Sequence, residues 1–345
     1  MASTQGAPRG IDAPALDRWF AEHLDTAGSL TYRLVAGGHS CLTYLVDADD
    51  GRRFVLRRPP VGHVLATAHD VVREHRIISA LADTAVPVAP ALGVCADPSI
   101  NEAPFYVMAF VDGAVLHDAD TAATLTHEAR QRAATSLVDV LVALHAVDPD
   151  AVGLGDLSKR TDYLGRQLKR WASQWQASKL KEVPAMERLE AWLVANKPDE
   201  GPSGIAHGDF RLGNAIHAPD GTMRAMLDWE LCALGPAQAD LTYLLRSWVL
   251  PGEARRSSVM PPTLAGGFPD REALVDRYVE RSGRDLGDLS YWMAFHAWRS
   301  AAIVAGVHAR YVAGVMGADP DEAKRFETAV EEGAAAGLLA AGIAD

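Results

Sequence analysis

The first third of the chain has the alternating apolar pattern of β-strands. Residues 42–58, LTYLVDADDGRRFVLRR, form two apolar runs joined by a turn that ends in Asp-Gly, which predicts a β-hairpin. A further apolar and aromatic strand is predicted over 104–113, where it ends at a second Asp-Gly. Between these segments, apolar residues recur at helical spacing over 69–81. The N-terminal part is therefore predicted to be rich in strands.

After residue 113 the apolar spacing becomes helical. A long amphipathic helix is predicted over 121–148, and a second hairpin over 215–230 interrupts the helices that follow. Those helices are predicted at about 161–177, 184–196, 236–250, 270–282, 288–313 and 320–340. This order predicts an α+β protein with two lobes. They are a small β-rich N-terminal lobe over 1–113, with 1–27 as an extension or helix, and a larger, mainly helical C-terminal lobe over 114–345.

The composition of the chain limits the classes of binding partner and the cellular compartment that we expect. The 345 residues carry a formal charge of -12, which argues against nucleic acid or an anionic membrane surface as a partner. The three cysteines are scattered without metal-site spacing and are typical of buried thiols in a reducing compartment. No signal-peptide pattern and no apolar run of membrane-spanning length occurs. We expect a cytoplasmic protein, and the sequence predicts no oligomeric state.

The stretch GIAHGDFRLGN, residues 204–214, contains the first candidate chemistry. Its two glycines disfavour a helix interior or a packed strand. His207, Asp209 and Asn214 match the spacing H-x-D-x-x-x-x-N. In phosphoryl transfer a carboxylate accepts or orients the proton of the attacking hydroxyl, and a neutral amide can hold a metal ion. Residues 207–214 are thus predicted as a catalytic loop with Asp209 as the base; the alternative is a loop with ordinary Asp and Asn turn hydrogen bonds.

Asp228 is the predicted second metal ligand. It lies 14 residues after Asn214, in the motif 228–230 at the end of the second hairpin. The hairpin is expected to return Asp228 beside the catalytic loop. Because Mg²⁺ prefers few carboxylates together with phosphate oxygens, Asn214 and Asp228 would suffice.

A cation for the nucleotide phosphates is predicted on the second strand of the first hairpin. Glu74 lies on the apolar stripe of its helix, where a carboxylate needs a partner. Arg57 alternates in phase with Val55 and so shares its face of the strand. The match of this strand to the V-A-I-K pattern of kinases predicts Val55 over the adenine and Arg57 at the phosphates. Arg58 is the competing choice, since no lysine occurs before Lys159. The alternative for Glu74 is a solvent-facing pair with a neighbouring arginine of its own helix.

Other candidate positions have weaker patterns. The segment AGGHS (36–40) could cover phosphates with backbone N–H groups. The strand YVMAFVDG could be the hinge between the lobes, with backbone groups facing adenine. Asp240 could brace the catalytic loop or cap its own helix. The predicted nucleotide contacts in these segments are Gly37, Gly38, Ser40, Met108, Ala109 and Val111, and the predicted supports of the site are His207 and Asp240.

Together, HGDFRLGN, LDWE and GPAQADLTYLL, with FVLRRPP, REHRIISAL and YVMAFVDG upstream, resemble the aminoglycoside phosphotransferase family of kinase-like enzymes. The resemblance covers roughly 28–315 and is strongest to the branch with the kinase-like domain of acyl-CoA dehydrogenase family members 10 and 11. It implies a bilobal protein-kinase-like fold, with ATP and Mg²⁺ as cofactors. It also implies transfer of the γ-phosphate to a small-molecule hydroxyl. Asp209 would be the base, Asn214 and Asp228 the Mg²⁺ ligands, and Arg57, paired with Glu74, would replace the usual phosphate lysine.

The sequence does not decide whether the phosphate acceptor is an aminoglycoside-type molecule or a hydroxyacyl or other metabolite. It also does not decide whether the enzyme prefers ATP or GTP as the phosphate donor. Helices over 156–200 are expected to wall the acceptor site. They carry Tyr163, Trp171, Trp175 and Trp192 together with Arg166, Lys169 and Arg170. This mixture suits an apolar or anionic hydroxylated acceptor, or simply core aromatics and a solvated helix face. The alternative function is a nucleotide-binding module of the same fold without turnover.

Overall fold

The computed structural model describes residues 8–36, 41–62, 70–253, 261–314 and 320–343. Its contacts divide the chain into two compact units. The first unit contains Met1–Ala114, Ala215–Ala218 and Met223–Leu231. The second contains Val115–Asn214, Pro219–Thr222 and Cys232–Asp345. The end of the second hairpin, with the motif 228–230, thus belongs by its contacts to the N-terminal unit.

The described elements are numbered in chain order. The strands are β1 Leu30–Ala36, β2 Leu42–Ala48, β3 Arg53–Arg58, β4 Ala91–Cys95, β5 Phe105–Ala109, β6 Ala114–Val115, β7 Gly204–Ala206, β8 Ala215–His217, β9 Met223–Met226 and β10 Ala233–Gly235. The helices are α1 Ala13–Leu24, α2 Val71–Leu81, α3 Pro98–Asn101, α4 Ala119–Ala123, α5 His127–Ala146, α6 Tyr163–Ser178, α7 Pro184–Ala195, α8 Ala237–Ser247, α9 Arg271–Ser282, α10 Ser290–Val312 and α11 Pro320–Ala340. Short 3₁₀ turns cover Leu212–Asn214, Trp229–Leu231 and Pro262–Ala265.

The first unit is built on an antiparallel sheet in the order β1-β2-β3-β5-β4. The predicted hairpin is confirmed as β2 and β3, whose turn includes Gly51 with a φ of 85°. The sequence pattern did not predict β1 and β4, which form the two edges of this sheet. In β1 the two consecutive apolar residues Leu34 and Val35 are exposed, so apolar and polar positions do not alternate cleanly along this strand.

The two faces of β3 have different partners. Phe54, Leu56 and Arg58 are buried, and the two apolar side chains pack with α1 in one core cluster of the unit. Val55 and Arg57 alternate with them and are half-buried. Because side chains alternate along a strand, this register places Arg57 on the face away from α1, in phase with Val55 as predicted.

Asp70 caps the N-terminus of α2, since its side chain accepts a hydrogen bond from the backbone N–H of Arg73 at 2.9 Å. The helix buries an apolar stripe that includes Ile77 and Ile78. Glu74 lies on the same buried stripe. The helix predicted over 69–81 is therefore confirmed over 71–81, and residue 69 lies outside the described residues.

In the second unit the single helix predicted over 121–148 is wrong. The structure has two helices here, α4 and α5, and Thr126 separates them. The Thr126 hydroxyl accepts a hydrogen bond from the backbone N–H of Ala129 at 3.2 Å and so caps α5. A side-chain cap satisfies an N–H group that the first turn of a helix leaves without a backbone partner, which favours a new helix start at this point.

A large aromatic core in the second unit joins α6, α7, α10 and α11. Trp171, Trp175, Trp292 and Trp298 are among its buried members. Among the described helices, none combines the length and the apolar composition that a membrane crossing requires.

Candidate active site

The predicted catalytic loop follows a short buried strand of the second unit. Strand β7 pairs in antiparallel fashion with β10 and leads into residues 207–211. Gly208 has a φ of 86°, a left-handed conformation that glycine adopts without steric cost. The loop ends in the 3₁₀ turn that carries Asn214. The glycine therefore permits the sharp turn that precedes Asp209.

Within this loop, Asp209 and Asn214 are in direct contact. The Nδ2 group of Asn214 donates to the backbone oxygen of Asp209 at 2.9 Å and to its carboxylate Oδ2 at 2.6 Å. The other carboxylate oxygen, Oδ1, accepts from Nε of Arg211 at 3.2 Å. The hydroxyl of Tyr243 also donates to Asp209, and burial together with this carboxylate raises the pKa of Tyr243. These donors hold the Asp209 carboxylate in one orientation.

Asp240 supports the loop from the first turn of α8. Its carboxylate is fully buried and accepts the backbone N–H groups of His207 at 2.5 Å and Gly208 at 2.7 Å. Nε2 of His145 lies 3.5 Å away. Burial acts to raise the pKa of Asp240, but the His145 contact and the Gly208 N–H lower it below the ordinary value. The carboxylate thus binds two backbone N–H groups of the predicted catalytic loop, whereas α8 has no side-chain cap.

In the first unit, Arg57 contacts two carboxylates. Its Nε lies 2.9 Å from Oε2 of Glu74, and its Nη2 lies 2.7 Å from Oδ1 of Asp228. Tyr106 donates its hydroxyl to Glu74 at 3.2 Å. Burial raises the pKa of Glu74 while Arg57 opposes that rise. Burial acts against the charged form of Arg57, but Glu74 and Asp228 keep its pKa above the ordinary value.

This arrangement differs from the alternative that Glu74 extends to solvent. The Glu74 side chain is 1% exposed and contacts Arg57 and Tyr106. Arg58 points to the opposite face of the sheet. It donates to the carbonyl oxygens of Gly10 and Asn101 and is 2% exposed. The structure therefore brings Arg57, not Arg58, to Glu74 and Asp228.

Asp228 has an unusual backbone conformation. Its φ is 65°, in the left-handed region that few residues other than glycine adopt. Asp is one of the residues that tolerate this region, at a cost on the order of 1 kcal/mol. The residue follows β9 and precedes the 3₁₀ turn Trp229–Leu231, and its side chain is 28% exposed. Such a conformation at a polar residue is typical of functional sites.

The remaining predicted nucleotide positions are less informative. Met108 is buried in β5, where it pairs with Val55 of β3. The backbone N–H of Ala109 donates to Pro90 at 2.9 Å, so this donor is already used within the unit. Val111 follows β5 in an irregular segment. Gly37, Gly38 and Ser40 lie outside the residues that the structure describes.

The predicted acceptor-wall helices mostly contribute to the core. Tyr163, Trp171 and Trp175 are buried in the aromatic core, and Trp192 packs against it. Arg166 donates to the carbonyl oxygens of Thr161 and Lys159 near the start of α6. The core interpretation of these aromatic residues is therefore supported.

Sequence reasoning missed four side chains near the predicted site residues, two in each unit. Cys41 and Glu230 approach Glu74 closely enough for one ligand atom of each to lie within 4.8 Å of the others. Burial raises the pKa of Cys41 to about 12, with Glu74 adding to the rise. Around the catalytic loop, Tyr243 and Arg299 were missed. Glu230 lies within the quoted LDWE motif, and Tyr243 within GPAQADLTYLL, but neither pattern assigns a direction to the side chain.

Comparison with known proteins gives related chains in animals. Acyl-CoA dehydrogenase family member 10 of Mus musculus is 36% identical over 317 residues, which cover 88% of this chain and 29% of that protein. Acyl-CoA dehydrogenase family member 11 of Rattus norvegicus is 33% identical and is matched over 40% of its length. The chain thus spans well under half the length of these curated relatives.

Solved structures agree on the fold. The solved structure of a Ralstonia eutropha protein, described by inference as an aminoglycoside phosphotransferase, shares 33% sequence identity with this chain. It has a TM-score of 0.78, and the match covers 95% of this chain and 98% of that one. Spectinomycin phosphotransferase, solved with ADP and spectinomycin, has a TM-score of 0.62 at 13% identity, over 94% of this chain and 98% of that one. The predicted α+β, kinase-like fold class is confirmed. Since the model of the phosphotransferase enzyme family also matches residues 31–292, the chain belongs to that family.

Proposed function

We propose that this protein is a small-molecule kinase that transfers the γ-phosphate of MgATP to a hydroxyl group, with Asp209 as the catalytic base. The observation that carries this proposal is the contact between Asp209 and Asn214, at 2.6 Å between Nδ2 and Oδ2. It joins a candidate proton acceptor to a candidate metal ligand within one loop. Family membership and the nucleotide complexes of its structural neighbours support the same reaction class.

The fixed orientation of the Asp209 carboxylate suits it to accept the proton of the acceptor hydroxyl. As the acceptor hydroxyl oxygen forms its bond to the γ-phosphorus, the bond from that phosphorus to the bridging oxygen of ADP breaks. The hydroxyl proton passes to the Asp209 carboxylate. The donors from Asn214 and Arg211 fix the carboxylate, and the clamp from Asp240 fixes the backbone before it. Positioning of this kind is the main contribution that a kinase makes to phosphoryl transfer.

Asp228 of the first unit and Asn214 of the second each offer an oxygen atom of the kind that binds magnesium. Mg²⁺ takes oxygen ligands and usually binds through one or two protein groups together with phosphate oxygens. The Asp228 carboxylate is partly exposed and is held in the left-handed conformation. Asn214 uses its amide nitrogen toward Asp209, which leaves its amide oxygen as the ligand atom. When bound, the ion would neutralise charge on the nucleotide phosphates.

Arg57 is the proposed phosphate cation. It is held by Glu74, which is buried, and a guanidinium can make two parallel charge-assisted hydrogen bonds to a phosphate. The Glu74 contact fixes the direction of the guanidinium, a role that a carboxylate of the helix supplies in kinase-type sites.

The test is transfer of radiolabelled γ-phosphate from ATP to a panel of hydroxylated metabolites and antibiotics, by the wild type, Asp209→Asn and Asp199→Asn. Asp199 is exposed and provides the same change of charge away from the loop. We expect transfer by the wild type and by Asp199→Asn, and a loss of about a hundredfold or more in Asp209→Asn. Nucleotide binding measured by calorimetry, with no transfer to any member of the panel and no effect of Asp209→Asn on ATP hydrolysis, would instead establish a nucleotide-binding module.

A further inference from the structure

Arg299 is a buried cation next to the candidate catalytic loop. It lies on α10 in the second unit and is 5% exposed. Its Nη2 donates to the backbone oxygen of Gly208 at 3.4 Å. Its Nε is buried and has no hydrogen-bond partner within the part of the chain that the structure describes. No described carboxylate lies within 4.0 Å of its guanidinium.

Aromatic rings surround the Arg299 guanidinium instead of a carboxylate. Its central carbon lies 5.2 Å from the ring centre of Trp171 and 5.6 Å from that of Tyr243. Such cation–π contacts contribute about 0.5–2 kcal/mol each, whereas removing an ion from water costs several kcal/mol. The aromatic contacts therefore offset part of the free-energy cost of burying the guanidinium. They do not neutralise its positive charge, which stays available to an anion.

Arg170 brings a second guanidinium to the same indole ring. It lies on α6, is exposed, and has its central carbon 5.1 Å from the ring centre of Trp171. Partial burial and the charge of Arg299 lower the pKa of Arg170. Two like charges at one ring repel each other, and an anion that contacts both would remove that repulsion.

We propose that Arg299 and Arg170 form an anion subsite that recognises a carboxylate or phosphate group of the phosphate acceptor. This inference rests on the proposed kinase function and assigns the substrate class of the same site: a hydroxylated anion. An ammonium-rich acceptor would be repelled by the two guanidinium groups. A sulfate-like or phosphate-like group and a carboxylate share the required chemistry, since all accept bidentate hydrogen bonds from arginine.

The subsite lies close to the predicted base along the backbone. Arg299 contacts the carbonyl group of Gly208, and the next Cα atom, that of Asp209, is about 3.8 Å from the Cα of Gly208. Tyr243 connects the two side chains as well, since its ring contacts Arg299 and its hydroxyl donates to Asp209. The acceptor should therefore carry its anionic group a short distance from the reacting hydroxyl.

Four probes with one hydroxylated three-carbon skeleton test the subsite: glycerate, glycerol 3-phosphate, glycerol and 3-amino-1,2-propanediol. Their binding is measured by calorimetry and by the shift in Tm, neither of which requires turnover. We expect the wild type to bind the carboxylate, the phosphate or both, and to bind the neutral and ammonium probes at least about tenfold more weakly. Preference for one anion would distinguish a carboxylate from a phosphate acceptor.

The variants are Arg299→Gln, Arg299→Lys, Arg170→Gln and the control Arg18→Gln. Arg18 is exposed on α1, outside the predicted acceptor-wall helices, and supplies the same change of residue and charge. Arg299→Gln and Arg170→Gln should each weaken anion binding about tenfold or more, Arg299→Lys should restore part of it, and Arg18→Gln should leave it unchanged. Because Arg170 is exposed, its variant folds even if Arg299→Gln does not.

Three results would overturn the subsite. They are equal binding of the four probes, no binding of either anion, or anion binding that survives both glutamine variants. Equal losses of kcat in Arg299→Gln on neutral and anionic acceptors, without a change of KM, would place Arg299 at the transferred phosphoryl group instead. Failure of the kinase proposal is distinct, because it appears as absent ATP turnover with the anion preference intact.

Discussion

Nη2 of Arg57 lies 2.7 Å from Oδ1 of Asp228, which joins the predicted phosphate cation to the predicted metal carboxylate within the first unit. The two groups carry opposite charges. In a complex with a magnesium nucleotide, the carboxylate would be the partner of the metal ion and the guanidinium the partner of the phosphates. Binding of MgATP would exchange this single ion pair for a carboxylate–metal contact and an arginine–phosphate contact. We therefore expect the two residues to respond differently to substitution.

The first prediction concerns Asp228→Asn. Turnover that depends on Mg²⁺ should fall about a hundredfold or more, because an amide does not neutralise the ion as a carboxylate does. The fold should tolerate the change, since Asn also adopts the left-handed conformation that Asp228 has. Steady-state kinetics at varied Mg²⁺ and a urea unfolding curve measure both effects. Asp220→Asn, at an exposed position of the second hairpin, is the control; full activity of Asp228→Asn would exclude a metal role.

The second prediction separates Arg57 from Arg58. Arg57→Ala should reduce phosphoryl transfer strongly, through lost charge-assisted contacts worth about 1.5–3 kcal/mol each. Arg57→Lys should keep part of the activity because the charge remains. Arg58→Ala should instead lower the free energy of unfolding by about 1–3 kcal/mol, since it leaves the Asn101 carbonyl without its buried donor.

Glu74 complicates Arg57→Ala, because the variant leaves a buried carboxylate without its cation. The same arginine substitutions are therefore also made in a Glu74→Gln background, in which that charge is absent. Kinetics at varied MgATP and denaturant unfolding are measured for each protein. A larger loss of turnover in Arg58→Ala than in Arg57→Ala, in both backgrounds, would contradict the role of Arg57.

Local periodicity predicted the faces of Arg57 and Glu74, and the similarity to kinase-type sites predicted that the two side chains pair. Alternation along β3 assigns Arg57 to the face of Val55, and the buried stripe of α2 assigns Glu74 to the core side of its helix. Both are properties of a few consecutive residues. The hairpin that ends at Asp228 was predicted for the same reason.

Contacts between distant segments could not be predicted in this way. Arg299 contacts Gly208 from a helix position 91 residues further along the chain. Cys41 lies near Glu230, although the two residues are far apart in the sequence. Helical and strand periods give the face of a residue but not which element packs against that face. The break before α5 was missed for another reason: the Thr126 cap depends on one hydroxyl within an otherwise continuous helical pattern.

The third prediction concerns the clamp formed by Asp240. In Asp240→Asn one oxygen can still accept an N–H group, but the amide nitrogen would face the other, His207 or Gly208. The free energy of unfolding should fall by about 1–3 kcal/mol, and kcat should fall by up to about a hundredfold because the loop shifts. Amide hydrogen exchange at positions 207 and 208 should become faster.

Asp276→Asn is the matched control for the clamp, because Asp276 is an exposed carboxylate on α9. Activity is measured well below the Tm of each variant, so that unfolding does not reduce it. Unchanged exchange at residues 207 and 208 together with unchanged kcat would show that the Asp240 carboxylate does not hold the catalytic loop.

The last prediction concerns stability in mild acid and depends on His296. Its ring is 1% exposed, with Nε2 2.7 Å from the backbone oxygen of Ala239. Burial lowers the pKa of His296 well below the ordinary value, and the charges of Arg299 and Arg246 add to this. The native state therefore keeps the ring neutral at pH values where the unfolded chain, with a pKa of about 6.5, takes up a proton. Stability from this group is present above about pH 6.5 and decreases as the pH falls.

His296→Gln removes this titration while its amide can still donate to Ala239. We expect the free energy of unfolding of the wild type to fall more steeply below about pH 6.5 than that of the variant, by up to about 1.4 kcal/mol per pH unit. Urea unfolding across that pH range measures the difference. His127→Gln, at an exposed position of α5, should keep the wild-type slope. Parallel pH profiles for the wild type and His296→Gln would mean that His296 is protonated equally in the native and unfolded states.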